Sequence, residues 1–132
     1  MSALDKLFET SGKKLIGYLP AGYPSVANAK EVISAMVDGG VDAIEVGFPY
    51  SDPVMDGPTI QAAADKSLAN GTTAKDVIET LEHAAKCAPS VIMTYWNPIE
   101  RYGVSDFARD LANAGGSGTI TPDLTVEEAQ GW

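Results

Sequence analysis

Cysteine is almost absent from this chain: Cys87 is the only one, so no disulfide can form within it, and a reducing cytoplasm is the expected home. Basic residues are scarce, 9 Lys and Arg against 18 Asp and Glu, for a net charge of −9. That balance argues against nucleic acid, which is held by clustered Lys and Arg. No apolar run approaches the roughly 20 residues needed to cross a bilayer, so no membrane span is expected. Met1 to Phe8 lacks a basic region followed by an apolar stretch, so no signal peptide is expected either. With one histidine, His83, there is no second imidazole to indicate a metal site. No glycine spacing matches a phosphate-binding or dinucleotide loop; Gly115-Gly116-Ser117-Gly118 precedes a strand instead of opening a helix. A phosphate-bearing substrate would therefore meet a repelling net field with no local trap of backbone N–H groups in view. What remains is 132 residues with 45% hydrophobic content, enough for a buried core, and residues 1–132 read as a single domain.

The hydrophobic pattern alternates between short buried strands and amphipathic helices. Leu15–Leu19 is a strand ended by Pro20-Ala21-Gly22-Tyr23-Pro24. Ser25 caps a helix with Ala29, Val32, Ile33, Met36 and Val37 inward, stopped at Gly39-Gly40. Ala43–Gly47 is the second strand. A helix opening at Pro58 carries Ile60, Ala63, Ala64 and Leu68 inward, and one opening after Thr73 carries Val77, Ile78, Leu81 and Ala85. Ser90–Tyr95 is the third strand, a helix with Val104, Phe107, Ala108 and Leu111 inward follows, and Gly118–Thr121 is the fourth strand. Strands separated by helices pair in parallel through right-handed crossovers. Thr125 to Glu128 has capping-box spacing, so a further helix is expected there, cut short at Trp132; the end reads as a truncation.

Glu45 sits at the exit of the second strand and Asp56 in the proline-stiffened loop behind it, so both can face one small pocket. Two carboxylates in unlike surroundings hold different pKa values and take different parts in acid–base chemistry. Each has a plainer reading. Glu45 could be a strand-end acid reaching water or a nearby base, although strand ends of α/β folds are where sites gather. Asp56-Gly57-Pro58 is also a good helix start, with either Asp56 or Gly57 as cap. Asp123, after the fourth strand, is placed either as a site residue or as a loop cap. At least one aromatic of Tyr95-Trp96 either lines a pocket or packs under the rim. Asp52 reads as a turn-former bonding the backbone ahead, His83 as a solvated partner of Glu79, and Cys87 as inert core.

Four segments, Leu15–Pro24 (LIGYLPAGYP), Ile44–Pro58 (IEVGFPYSDPVMDGP), Val91–Pro98 (VIMTYWNP) and Thr119–Leu124 (TITPDL), resemble the tryptophan synthase alpha subunit family. The second segment is the most specific, fixing both acids, three prolines and two glycines in order. The resemblance implies a (β/α)8 TIM barrel, a fold of around 250 residues, of which this chain would be the N-terminal half with about four βα units. It implies cleavage of indole-3-glycerol phosphate to indole and glyceraldehyde 3-phosphate in tryptophan biosynthesis, with the family's phosphate-binding and mobile loops falling in the other half. It further implies that Glu45 is the general acid–base and that Asp56 binds the indole N–H, with Tyr18, Met93, Tyr95 and Ile120 lining the indole pocket. No cofactor is expected in this chain. Pyridoxal phosphate belongs to the beta subunit, the implied partner in a heterotetramer, docked on the loop Tyr50–Gly57. Pro20 and Gly116-Ser117 depart from the commonest family pattern. A half-barrel that docks on the beta subunit without catalysis is the alternative. A small doubly wound domain fits poorly, because Thr94-Tyr95 stands where a receiver needs an acceptor Asp.

Overall fold

The computed structural model describes residues 1–130 and 132 in full. In chain order it contains α1 (Ala3–Glu9), β1 (Ile16–Pro20), α2 (Val26–Asp38), β2 (Ala43–Gly47), α3 (Pro58–Ala69), α4 (Ala74–Cys87), β3 (Ser90–Met93), α5 (Trp96–Tyr102), α6 (Val104–Asn113) and β4 (Thr119–Ile120). The strands form one sheet in the order β1-β2-β3-β4, every pair parallel. This is the expected βα arrangement, with consecutive strands side by side.

Alternation along each strand divides the sheet into two unlike faces. Ile44, Val46 and Ile92 point toward the helices and pack with Ile33 of α2, Val77 and Leu81 of α4, and Phe107 and Leu111 of α6. Burying each such side chain contributes about 1.5–3 kcal/mol, so this layer holds the unit together. Gly17 belongs to the same face: a Cβ there would lie 2.3 Å from Met36 Cε, so α2 packs directly on the strand backbone. The opposite face carries Tyr18, Glu45 and Val91 in one register row and Gly47, Met93 and Ile120 in the next. Ile16 and Ile120 on this face remain exposed.

The capping signals act as expected for α2 and α4. Ser25 Oγ accepts from the Asn28 N–H, while Thr73 and Asp76 form a reciprocal capping box. Several local expectations are corrected. A short helix, α1, forms behind a Ser2–Asp5 capping box. β3 ends at Met93 because α5 begins at Trp96, with Pro98 in its first turn, where a missing N–H is harmless. Val32, Leu68 and Ala108 are exposed. His83 does not pair with Glu79: its Nε2 lies 2.8 Å from Ser34 Oγ, and Glu79 sits 3.8 Å from Lys30 and 3.7 Å from Lys75. Cys87 is partly buried beside the same serine and histidine, with Sγ 3.9 Å from each. At Thr125 there is a turn in place of an α-helix. Thr125 Oγ1 donates to the Glu128 carboxylate at 3.1 Å and the Glu128 N–H to the Thr125 carbonyl at 3.1 Å, so the two residues close a turn instead of a capping box.

Candidate active site

Glu45 is third in β2, between Tyr18 of β1 and Val91 of β3 in register. Its side chain therefore rises from the face opposite the buried helix-packed layer and is partly buried there. Burial pushes its carboxyl above the ordinary glutamate range, since the charged form loses hydration. Among the described residues its carboxylate has no hydrogen-bond or ion-pair partner.

Tyr18 connects the two acids. Its ring lies across Gly47, where a Cβ would sit 2.2 Å from the Tyr18 hydroxyl oxygen and 2.6 Å from Cζ. Burial holds this phenol well above its usual range, and the charges of Asp56 and then Glu45 push it further in the same direction. Both carboxylates thus act on one hydroxyl, which stays protonated at neutral pH. Asp56 stands in the β2–α3 loop, while Glu45 stands in the strand.

Of the two residues that could cap α3, Gly57 is the N-cap, and it makes no side-chain cap bond. Pro58 takes the first helical position, where its fixed φ suits the turn. Asp56 is left with an unpartnered carboxylate among the described residues. Its backbone carbonyl accepts from Gln61 Nε2 at 2.6 Å, and the neighbouring Met55 N–H donates to the Tyr95 hydroxyl at 3.1 Å. Tyr50 stacks at a tilt on Tyr95, ring centroids 5.5 Å apart. Asp52 forms its local contact with a side chain, accepting from Ser51 Oγ at 2.7 Å, and not with the backbone ahead.

The remaining expected site residues divide. Met93 and Ile120 lie side by side in register, one row beyond Glu45, Met93 partly buried and Ile120 exposed. Tyr95 is only 2% exposed, beneath the loop that carries Asp56. Asp123 takes the capping alternative: its Oδ1 accepts the Trp96 N–H at 2.9 Å, at the start of α5. Two clefts open elsewhere on the rim. One of about 450 Å³ is lined by Phe48, Tyr50, Pro98, Arg101 and Tyr102 among others, and one of about 410 Å³ by Trp96, Glu100, Asp123 and Glu128 among others. Neither includes Glu45 or Asp56. Sequence reasoning missed Gly47 and Gln61. Nothing local marks either one, because the first matters through Tyr18 on another strand and the second through a loop carbonyl. Among the described residues no helix is long and apolar enough to cross a membrane, and no group of three His, Cys, Asp or Glu could hold a metal.

Parallel βα units in this order, with one acid midway along β2 on the open face and a second in the loop behind it, are those of a (β/α)-barrel. Four strands are half of such a barrel's eight. The family model of the tryptophan synthase alpha chain matches residues 4–132, and the chain belongs to that family. It is 62% identical over 119 residues to the tryptophan synthase alpha chain of Thermobifida fusca, covering 89% of this chain and 44% of that protein. The Salinispora arenicola counterpart is 54% identical over 131 residues, covering 98% and 49%. The crystal structure of M. tuberculosis tryptophan synthase in its aminoacrylate-bound form superposes over 100% of this chain and 56% of that one, with a TM-score of 0.96 and 49% identity. The alpha subunit from Legionella pneumophila gives a TM-score of 0.93 at 37% identity, covering 99% and 53%. The chain spans about half the length of the relatives it matches.

Proposed function

We propose that these residues form the acid–base half of a lyase site that cleaves indole-3-glycerol phosphate by a retro-aldol step. Glu45 protonates the indole ring carbon that bears the side chain and takes the proton from the side-chain hydroxyl. The bond between those carbons then breaks, releasing indole and an aldehyde, glyceraldehyde 3-phosphate. Asp56 accepts the indole N–H and steadies the positive charge that develops on the ring as its carbon is protonated. Tyr18, Met93 and Ile120 lie on the same face and supply the surface against which the indole ring rests. The observation that carries this reading is the placement of Glu45 beside Tyr18 in one register row of the open sheet face, where the charges of Asp56 and Glu45 both raise the Tyr18 phenol. A Glu45 carboxyl raised by burial supports it too, because a group that gives and retakes a proton works best with a value moved toward neutrality.

The test uses a full-length barrel in which these 132 residues are followed by the second half of the Thermobifida fusca relative. Positioned proton transfer contributes about 10²–10⁴-fold in rate, so Glu45→Gln is expected to lower kcat by that factor while the barrel still folds. Near-parental turnover in that variant would sink the lyase reading.

A second reading concerns the partner. The cleft beside Phe48, Pro49, Tyr50 and Ser51 is mostly apolar in its lining and adjoins the Asp56 loop, which supports docking of a tryptophan synthase beta subunit there. The cofactor of the coupled reaction, pyridoxal phosphate, then resides in that partner. Capture of a beta subunit by the 132-residue chain, without indole production, is the outcome that favours docking alone.

A further inference from the structure

We propose that Tyr95 and Gln61 are positioning residues that clamp the backbone on either side of Asp56 and hold its carboxylate at the mouth. The inference rests on the role given to Asp56 above. Ten residues separate β2 from α3, and the tip of that loop projects into solvent, with Val54 74% and Met55 65% exposed. Such a segment needs anchors if one of its side chains is to stay at a fixed spot. Two are present. The Met55 N–H donates to the Tyr95 hydroxyl at 3.1 Å, just before Asp56. Gln61 Nε2 donates to the Asp56 carbonyl at 2.6 Å, just after it.

The anchors stand on different rigid elements. Tyr95 stands two residues past β3 as the N-cap of α5, and its buried ring is wedged against Tyr50; Gln61 is in α3. Together they tie the loop to the neighbouring strand and to its own following helix. The Asp56 carboxylate takes part in neither bond and remains free for substrate. At 2% exposure, Tyr95 offers an indole ring little surface, so its contribution passes through the loop.

Tyr95→Phe keeps the ring and deletes the acceptor, while Gln61→Leu deletes the donor. In the full-length barrel each is expected to lower kcat by tenfold or more, up to about 10²-fold, as a displacement near 1 Å does. KM is expected to change less than kcat. The same substitutions made in an Asp56→Asn background are expected to cost almost nothing further, because the group they position is already disabled. Equal losses in both backgrounds, or unchanged kcat in the first, overturn the proposal. Amide hydrogen exchange gives a readout independent of turnover: Met55 exchanges at least tenfold faster in Tyr95→Phe, and an unchanged rate refutes the Tyr95 anchor. If the parental barrel does not cleave the substrate, the lyase reading fails while the exchange experiment still decides the clamp. Gln61 lies on the exposed surface of α3, so its variant carries the kinetic comparison should Tyr95→Phe not fold.

Discussion

Replacing Gly47 by alanine places a methyl group where the Tyr18 ring now lies. The added carbon would be 2.2 Å from the hydroxyl oxygen, 2.6 Å from Cζ and 3.0 Å from Cε2, all inside van der Waals contact. The far edge of the ring must move, and it has only two side-chain torsions with which to do so. Overpacking of this kind costs about 1–3 kcal/mol. Gly47 lies in an extended strand, not in the left-handed region, so alanine fits the backbone. In the absence of a clash, the substitution stabilises by about 0.4–1 kcal/mol through the unfolded chain. The effect of Gly47→Ala is therefore expected to reverse sign with the neighbour, destabilising beside Tyr18 and stabilising in a Tyr18→Ala background. The unfolded-chain gain is common to both backgrounds and cancels, so the coupling between the two positions is about 1–3 kcal/mol. Urea-denaturation midpoints of the four full-length proteins, parental, each single and the double, measure it. The same small change in both backgrounds would refute the close approach of Tyr18 to the β2 backbone.

Two further outcomes follow from the face on which the acids sit. A carboxyl raised in the folded state binds its proton more readily there than in the unfolded chain, so this contribution to stability is complete below the unfolded value of 4.5 and declines as pH rises through the folded value. Glu45→Gln, which cannot ionise, is accordingly expected to be more stable than the parent at pH 7, with the advantage gone below pH 4.5; an advantage independent of pH in urea titrations contradicts the burial of Glu45. The 132-residue chain by itself leaves Leu15 59%, Ile16 48% and Ile120 45% exposed, along with the free edges of β1 and β4, and is expected to self-associate. Light scattering that gives the monomer mass of 13.8 kDa, together with a sharp cooperative melt, would contradict this.

The parallel βα order was legible because β1 and β2 are short apolar runs closed by Pro20 and Gly47, and the long helices between strands have spaced apolar faces. Glu45 was read at the exit of the second strand, whereas it is third of five in β2, because Val46 and Gly47 continue the ladder with β1 and β3. The choice between cap and free acid at Asp56 was not legible, since Asp56 and Gly57 both suit the cap and only the backbone separates them. α5 escaped notice because its capping acceptor is Asp123, 27 residues further on, beyond the reach of any local pattern. The fate of Tyr95 depended on a loop folding back over it, which residue spacing does not encode.

The bond from the Trp96 N–H to Asp123 acts as a strut between two successive rim loops, one after β3 and the other after β4. A negative group at a helix start is favoured by the partial positive charge of the unpaired N–H groups, so the strut also relieves a cost that α5 would otherwise carry. Its consequence is mechanical: lengthening or shifting the segment behind Ile120 slackens the first turn of α5, and through Tyr95 at its threshold the disturbance is passed to the loop that bears Asp56.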